Sequence, residues 1–213
     1  MKIYILKISD DGTDLLPFLS EQRMKVIENI TNKKVRAEKI CSYALLRYAI
    51  FMEYGIDELF VFNYGKVEKP YLRDYPRIFF NMSHAGGYCA CGVSDEEIGV
   101  DLQDYRPMRE DITCKICTKK EIDEIYCSCS PTPSETTCRM WCMKESYGKL
   151  TGKGFTEGFD TIETGELREK GVLKSADLTL DDELFFVSVS AYSRIDDIEI
   201  EILTEKDIRY ILS

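Results

Sequence analysis

The sequence predicts an α+β protein of two similar halves, residues 1–97 and 98–213. Three observations lead there. Apolar residues recur with the two-residue period of strands in some stretches and near helical spacing in others. Each half runs in the same order: a strand, helices, then antiparallel strands. Finally, Gly87-Tyr88-Cys89-Ala90-Cys91-Gly92-Val93-Ser94 closes the first half much as Leu184-Phe185-Phe186-Val187-Ser188-Val189-Ser190-Ala191 closes the second. Both runs end in small residues, as an internal duplication would leave them.

Composition bounds the function classes. The chain has 213 residues, 44% hydrophobic and 31% charged, which are globular values. A net charge of −10 opposes nonspecific binding to nucleic acid or to an anionic membrane surface. No apolar run reaches the length of a membrane span. Residues 1–7 are apolar but too short for an export signal, and they lack a small-residue cleavage site. They read as a buried first strand, and the protein is expected to be cytoplasmic and monomeric. Nine cysteines without an export signal are expected as reduced thiols packed like small apolar residues.

Elements follow in order. Residues 2–8 are a strand and 20–30 a short amphipathic helix. Residues 34–54 form a longer helix, with Ile40, Ala44, Leu45, Tyr48 and Met52 near helical spacing and Gly55 as its stop. A short strand at 60–63 precedes a loop carrying Gly65, Pro70 and Pro76. Strands at 78–82 and 87–93 lead to a turn at Asp95-Glu96-Glu97 and a strand at 98–103. Thr118-Lys119-Lys120-Glu121 has the capping-box form and opens a helix that runs to Cys127. A polar loop at 127–136 with Pro131 and Pro133 merges into a second long helix, 134–150, stopped by Gly152 and Gly154. Strands are expected at 158–164, 171–174, 183–190 and 198–202, and a short helix capped by Thr204 ends the chain.

Four groups of residues could carry chemistry. Lys33, Lys34, Arg36 and Lys39 crowd one stretch, which alone reads as a solvated helix face. His84 is the only histidine, which excludes sites needing two imidazoles. Ser83-His84 precedes Gly86-Gly87, where backbone can approach a phosphate closely. A histidine satisfied within the core is the other reading, and both stand. In Ile98-Gly99-Val100-Asp101-Leu102-Gln103, strand alternation puts Asp101 and Gln103 on one face. Two oxygen ligands there suit a hard cation such as magnesium; an isolated strand-end aspartate is otherwise a turn or cap residue.

The last group is the stretch from Trp141 to Phe155. Trp141, Glu145, Gly148 or Lys149, and Gly152 share a helix face. Glu145 and Lys149 could be a plain surface ion pair. Against that, a mid-helix Gly148 costs roughly 1 kcal/mol relative to alanine, so something is expected to need its space. Gly152-Lys153-Gly154 lacks P-loop spacing.

Together these segments resemble the Sfp-type 4′-phosphopantetheinyl transferases. The match lies in Phe80-Asn81-Met82-Ser83-His84, in Gly99-Val100-Asp101-Leu102-Gln103, and in Trp141-x-x-Lys144-Glu145-Ser146-x-x-Lys149-x-x-Gly152-x-Gly154. Lys69-Pro70 is similar to the family's G-K-P element, with two apparent extra residues near Val67. The resemblance spans residues 33–155.

It implies a pseudodimer of two α+β halves with the active site in the cleft between them. It also implies a transfer of phosphopantetheine from coenzyme A to a serine of an acyl- or peptidyl-carrier protein, releasing 3′,5′-adenosine bisphosphate. Asp101 and Glu145 would bind magnesium with the coenzyme A diphosphate, and Glu145 would help deprotonate the serine. Lys149 would stabilise charge on the phosphate or leaving group. Lys69, Ser83 and His84 would contact the coenzyme A phosphates, and Arg36 with Lys39 the 3′-phosphate. Gln103 stands where many members carry a second carboxylate; a neutral amide binds a divalent cation more weakly.

Two other readings remain at this level. One is a catalytically weak module that binds coenzyme A or a carrier protein without turnover, supported by Gln103. The other is a zinc-binding protein built on Cys114-x-x-Cys117, Cys127-x-Cys129, Cys138 and Cys142.

Overall fold

A computed structural model of the chain describes residues 1–8, 11–65, 69–127, 132–154 and 158–213. In chain order its elements are β1 (Lys2–Lys7), α1 (Glu21–Glu28), α2 (Lys33–Tyr54), β2 (Phe62–Tyr64), β3 (Pro70–Leu72), β4 (Phe79–Ala85) and β5 (Tyr88–Ser94). There follow β6 (Ile98–Asp104), α3 (Glu110–Ile116), α4 (Lys119–Cys127), α5 (Pro133–Thr151) and α6 (Thr164–Glu169). β7 (Leu173–Leu180), β8 (Glu183–Ala191), β9 (Glu199–Leu203) and α7 (Glu205–Leu212) complete the chain. No described helix is long and apolar enough to cross a membrane.

The chain divides into two compact units, Met1–Ile98 with Glu199–Ser213, and Gly99–Ile198. The second unit differs from the expected half, 98–213, in giving up its end. The reason is a parallel pairing. β9 lies beside β1 in register from Lys2↔Glu199 to Leu6↔Leu203, so β9 and α7 belong to the first unit.

In that first unit the sheet order is β4-β5-β1-β9. β4 and β5 form a hairpin from Phe79↔Ser94 to Ala85↔Tyr88. Its turn uses Gly86 and Gly87 at φ 54° and 84°, a backbone form that glycine tolerates. α2 covers the sheet. The Asn32 side chain caps its start by accepting from Val35 N, and Gly55 ends it at φ 67°. Cys41, Ala44 and Ala49 keep α2 close enough to bury Ile40, Leu45 and Tyr48 with Cys89 and Cys91 in one core. β2 and β3 pair apart from this sheet. Gln22 of α1 holds β2 at both backbone groups of one residue, accepting from Phe62 N at 2.8 Å and donating to Phe62 O at 2.9 Å.

In the second unit the sheet order is β6-β8-β7. β7 and β8 are antiparallel from Leu173↔Ser190 to Leu180↔Glu183. The two-residue turn puts Asp181 and Asp182 at positive φ, 48° and 63°. The order first strand, second hairpin strand, first hairpin strand thus occurs in each unit, as β1-β5-β4 and as β6-β8-β7. α5 lies against β6 and β8 through small residues. The Cys142 thiol donates to Asp101 O at 3.5 Å and to Phe186 O at 3.3 Å, the Cys138 thiol donates to Asp104 O at 3.7 Å, and Ser146 and Ser190 hydroxyls meet at 2.8 Å. A Cβ on Gly99 would stand 1.9 Å from Ser146 O and 2.6 Å from Leu150 N. Helix backbone therefore occupies the place of a side chain.

Residues 158–164, expected as a strand, instead form a 3₁₀ turn, Phe159–Thr161, and then α6. The carbonyls of Phe159 and Ile162 point inward to the Lys144 ammonium, at 2.8 Å each, and so are lost to a ladder. The expected strand at 171–174 is longer, Leu173–Leu180. The space expected to be needed at Gly148 is not taken up by described atoms of the chain: the nearest neighbour of a Cβ there is Gly154 Cα at 3.4 Å.

These two glycines therefore make opposite predictions. Gly99→Ala should lower unfolding free energy by about 3 kcal/mol or more, because two backbones would have to separate. Gly148→Ala should be neutral or stabilising by up to about 1 kcal/mol. Urea denaturation of both variants checks this; a stable Gly99→Ala protein would contradict the close approach.

Candidate active site

α5 carries most of the candidate chemistry, and its ends are fixed locally. The Thr132 hydroxyl accepts from Glu135 N at 3.3 Å, Pro133 occupies the first turn, and Gly152 closes the helix at φ 70°. Its middle is fixed by a buried ion pair. Lys144 is 0% exposed. Its ammonium donates to Glu121 Oε2 at 2.5 Å as well as to the carbonyls of Phe159 and Ile162. Glu121 Oε2 also accepts from Thr118 N at 2.9 Å, and Oε1 from Thr164 N at 3.0 Å and Thr164 Oγ1 at 2.6 Å. The expected capping box is therefore present, and its glutamate does a second task. Burial alone would push the Glu121 carboxyl up, but hydrogen bonds from Lys144, Thr164 and Thr118 outweigh it and hold the carboxyl below its ordinary value. Trp141 packs edge-on against Phe159 at 5.4 Å, closing the same corner.

One residue after Lys144 the helix presents Glu145, and one turn later Lys149. β6 brings Asp101, 5% exposed. Lys149 Nζ donates to Asp101 Oδ1 at 2.7 Å and to Val100 O at 3.0 Å. Burial, then the negative charge of Asp101, pushes the Glu145 carboxyl up to about 7, with Lys149 partly opposing. The structure thus brings Asp101, Glu145 and Lys149 into one electrostatic group. Lys149 is bonded to the strand aspartate, which replaces the plain surface pairing with Glu145. Gln103, two residues along β6, donates its amide Nε2 to Asp104 O at 2.9 Å and to Asp104 Oδ1 at 3.2 Å.

The first unit holds the other sequence-predicted residues. Ser83 is buried and His84 exposed, as alternation on β4 requires, so the two donors face opposite ways. The core reading of His84 fails, since its side chain is 45% exposed. Its Nδ1 lies 3.9 Å from Glu38 Oε2, on the turn of α2 that also carries Arg36 and Lys39. Arg36 is half-buried, and its Nε has no hydrogen-bond partner. The Lys39 carbonyl accepts from Arg23 at 3.3 Å. Lys69 is bonded to the Glu97 carboxylate and, at 3.2 Å, to Ile98 O. The extra residues near Val67 lie outside the described residues.

Among the described residues no three histidine, cysteine or acidic side chains gather as a metal group. Cys114 is exposed, whereas Cys117, Cys138 and Cys142 are buried. Cys117 contacts Met140 Sδ at 3.8 Å, and the Cys138 and Cys142 thiols face β6 carbonyls. Cys129 and the Cys127 side chain lie outside the described residues. Glu121, Thr164, Asp104 and Glu38 were not singled out in the sequence as parts of a site. Only the capping-box spacing pointed at Glu121.

Asp101, Glu145 and Lys149 thus form one group of two carboxylates and an ammonium, the ammonium bonded to Asp101. The family model described as the 4′-phosphopantetheinyl transferase superfamily matches residues 97–203, and the chain belongs to that superfamily. Its enzyme class is accordingly 4′-phosphopantetheinyl transferase. Three relatives illustrate the range. The transferase Sfp of Bacillus subtilis (strain 168) is 24% identical over 168 residues, 76% of this chain and 75% of the relative. Psf-1 of Bacillus pumilus is 27% identical over 202 residues, 91% and 85% of the two chains. Ffp of Bacillus subtilis is 26% identical over 177 residues, 80% and 79%.

Two predictions arise from the site. Lys144→Met leaves Glu121 as an uncompensated buried charge and should cost about 3–5 kcal/mol; adding Glu121→Leu removes that charge but leaves Thr118 N, Thr164 N and the Phe159 and Ile162 carbonyls without these partners, so it should recover only part of the loss. Denaturant midpoints of the single and double variants measure this, and additive losses would contradict the pairing. For Glu145, a raised folded-state pKa means that the native state binds the proton more tightly. Its contribution is intact below the ordinary value of 4.5 and is lost as pH rises towards about 7. Metal-free Glu145→Gln should therefore exceed wild-type stability at pH 8 by on the order of 2–3 kcal/mol and converge with it at pH 4. Equal stability at both pH values would remove the conflict of charge.

Proposed function

We propose that this enzyme moves the 4′-phosphopantetheine arm of coenzyme A onto a serine hydroxyl of an apo carrier protein, using magnesium held by Asp101 and Glu145. Family membership supports the transfer. The observation that carries the site assignment is the pairing of two carboxylates, one pushed up to about 7 by burial and by the other's charge.

The donor set fits the ion. Magnesium takes one or two carboxylates and completes its shell with phosphate and water. A divalent cation would offset the burial and the Asp101 charge that together raise the Glu145 carboxyl. Bound there, magnesium would neutralise and orient the diphosphate oxygens. The residues of the chain have the following parts. Asp101 and Glu145 supply oxygen ligands. Glu145 would also accept the serine proton. As the serine oxygen bonds to the β-phosphorus, the bond from that phosphorus to the bridging oxygen breaks. The electron pair leaves with 3′,5′-adenosine bisphosphate. Lys149, held at 2.7 Å from Asp101, offers positive charge for the leaving oxygens.

The remaining assignments rest on the resemblance. Lys69, Ser83 and His84 would meet coenzyme A phosphates, and Arg36 with Lys39 the 3′-phosphate. The exposure of His84 and the unpartnered Arg36 Nε support this reading. Lys69 would exchange Glu97 for phosphate.

The test is direct. With coenzyme A and magnesium, the protein should add the phosphopantetheine mass to an apo acyl- or peptidyl-carrier protein, read by mass spectrometry. Asp101→Ala and Glu145→Ala should each lower the rate by about 100-fold or more. Full activity in either variant would overturn the assignment of the site.

A further inference from the structure

The amide of Gln103 has two ends that differ chemically, and its surroundings decide which end goes where. Nε2 lies 2.9 Å from Asp104 O and 3.2 Å from Asp104 Oδ1. Both partners are pure acceptors, so only the nitrogen end of the amide can face them. The acceptor is itself fixed. Asp104 is 9% exposed, its Oδ2 accepts from Arg106 Nε at 2.7 Å, and its carbonyl also accepts from the Cys138 thiol at 3.7 Å. Asp101 and Gln103 share a face of β6 by alternation.

We propose that Asp104 is a positioning residue: by capturing the Gln103 amide nitrogen, it leaves the amide oxygen as the pole presented to a divalent cation on the Asp101 face of β6. This rests on the metal assignment made under Proposed function. It also accounts for an amide at position 103. A carboxylate in the same pose would set its oxygens against Asp104 O and Oδ1, lone pair to lone pair. The donor set is therefore two carboxylates and one oriented amide oxygen, and Asp104 selects the amide. An outer group that orients a ligand in this way commonly governs metal affinity by an order of magnitude.

Mn²⁺ binding to the full chain without coenzyme A, followed by water-proton relaxation, tests this apart from turnover. Asp104→Ala removes the 3.2 Å side-chain contact while the 2.9 Å contact to the residue-104 carbonyl persists, and should weaken binding about 5-fold. Asp104→Asn, which keeps an oxygen acceptor, should stay within about 2-fold of wild type. In a Gln103→Ala background, Asp104→Ala should have no further effect. An unchanged affinity in Asp104→Ala, or an equal loss in the Gln103→Ala background, overturns the proposal. Asp101→Ala distinguishes the underlying reading. If Mn²⁺ binding survives that change, or if wild type binds no Mn²⁺, the metal assignment fails and this proposal with it. A second measurement guards against misfolding. Gln103→Glu should lower the melting temperature and Gln103→Glu/Asp104→Asn should restore it; a Gln103→Glu protein at least as stable as wild type contradicts the selection of an amide.

Discussion

The second unit depends on how closely a strand can lie against a helix. β6 approaches α5 until helix backbone stands where a side chain on Gly99 would be, at 1.9 Å from its Cβ position. The small residues of α5 permit the approach. Cys138, Cys142 and Ser146 bring thiols and a hydroxyl, and these bond to carbonyls of β6 and β8 and to Ser190. Everything proposed for the site follows from that spacing. Two residues beyond Gly99, Asp101 is near enough for the Lys149 ammonium and for its charge to act on Glu145. Bulky aliphatic side chains at this seam would hold the strand away and separate the acids.

The buried Glu121–Lys144 pair plays a different part. It contributes little as a net attraction, because both charges lose water on burial. Its effect is to define an arrangement. One carboxylate closes the start of α4, receives Thr164 at the start of α6 and meets α5. One ammonium gathers two carbonyls from a turn that would otherwise leave them unsatisfied. Three helices and a turn are thereby set against each other by a single polar node inside an apolar cluster of Ile116, Met140, Met143 and Phe159. The neighbouring Glu145 has the opposite status. Its carboxyl lacks comparable compensation and is raised.

What could be read in advance follows the range of each interaction. α2 was expected at 34–54 and is Lys33–Tyr54; α5 was expected at 134–150 and is Pro133–Thr151. Their signals are local: Asn32 and Gly55, Thr132 and Gly152. The capping box at Thr118 is equally local. The segment 158–164 was misread because its carbonyls answer to Lys144, a residue up to 18 positions away. β3 was not anticipated because a proline at its start conceals a strand. Nothing near residue 199 announces a partner near residue 2, so the parallel pairing of β9 was invisible. The candidate site divides in the same way. Asp101, Glu145 and Lys149 stand out by period and motif. Asp104 and Glu38 do not, because their relevance lies in which atom of a neighbour they hold.

The return of β9 to β1 bears on how the protein comes into being. The first unit is assembled from both extremities, whereas the second is one uninterrupted stretch. During translation, all of Gly99–Ile198 emerges before the strand that completes the other sheet. Until then β1 presents an unpaired edge to the cell. A ribosome that stalls late therefore leaves a product with a finished second unit and, in the first, an open, association-prone sheet edge.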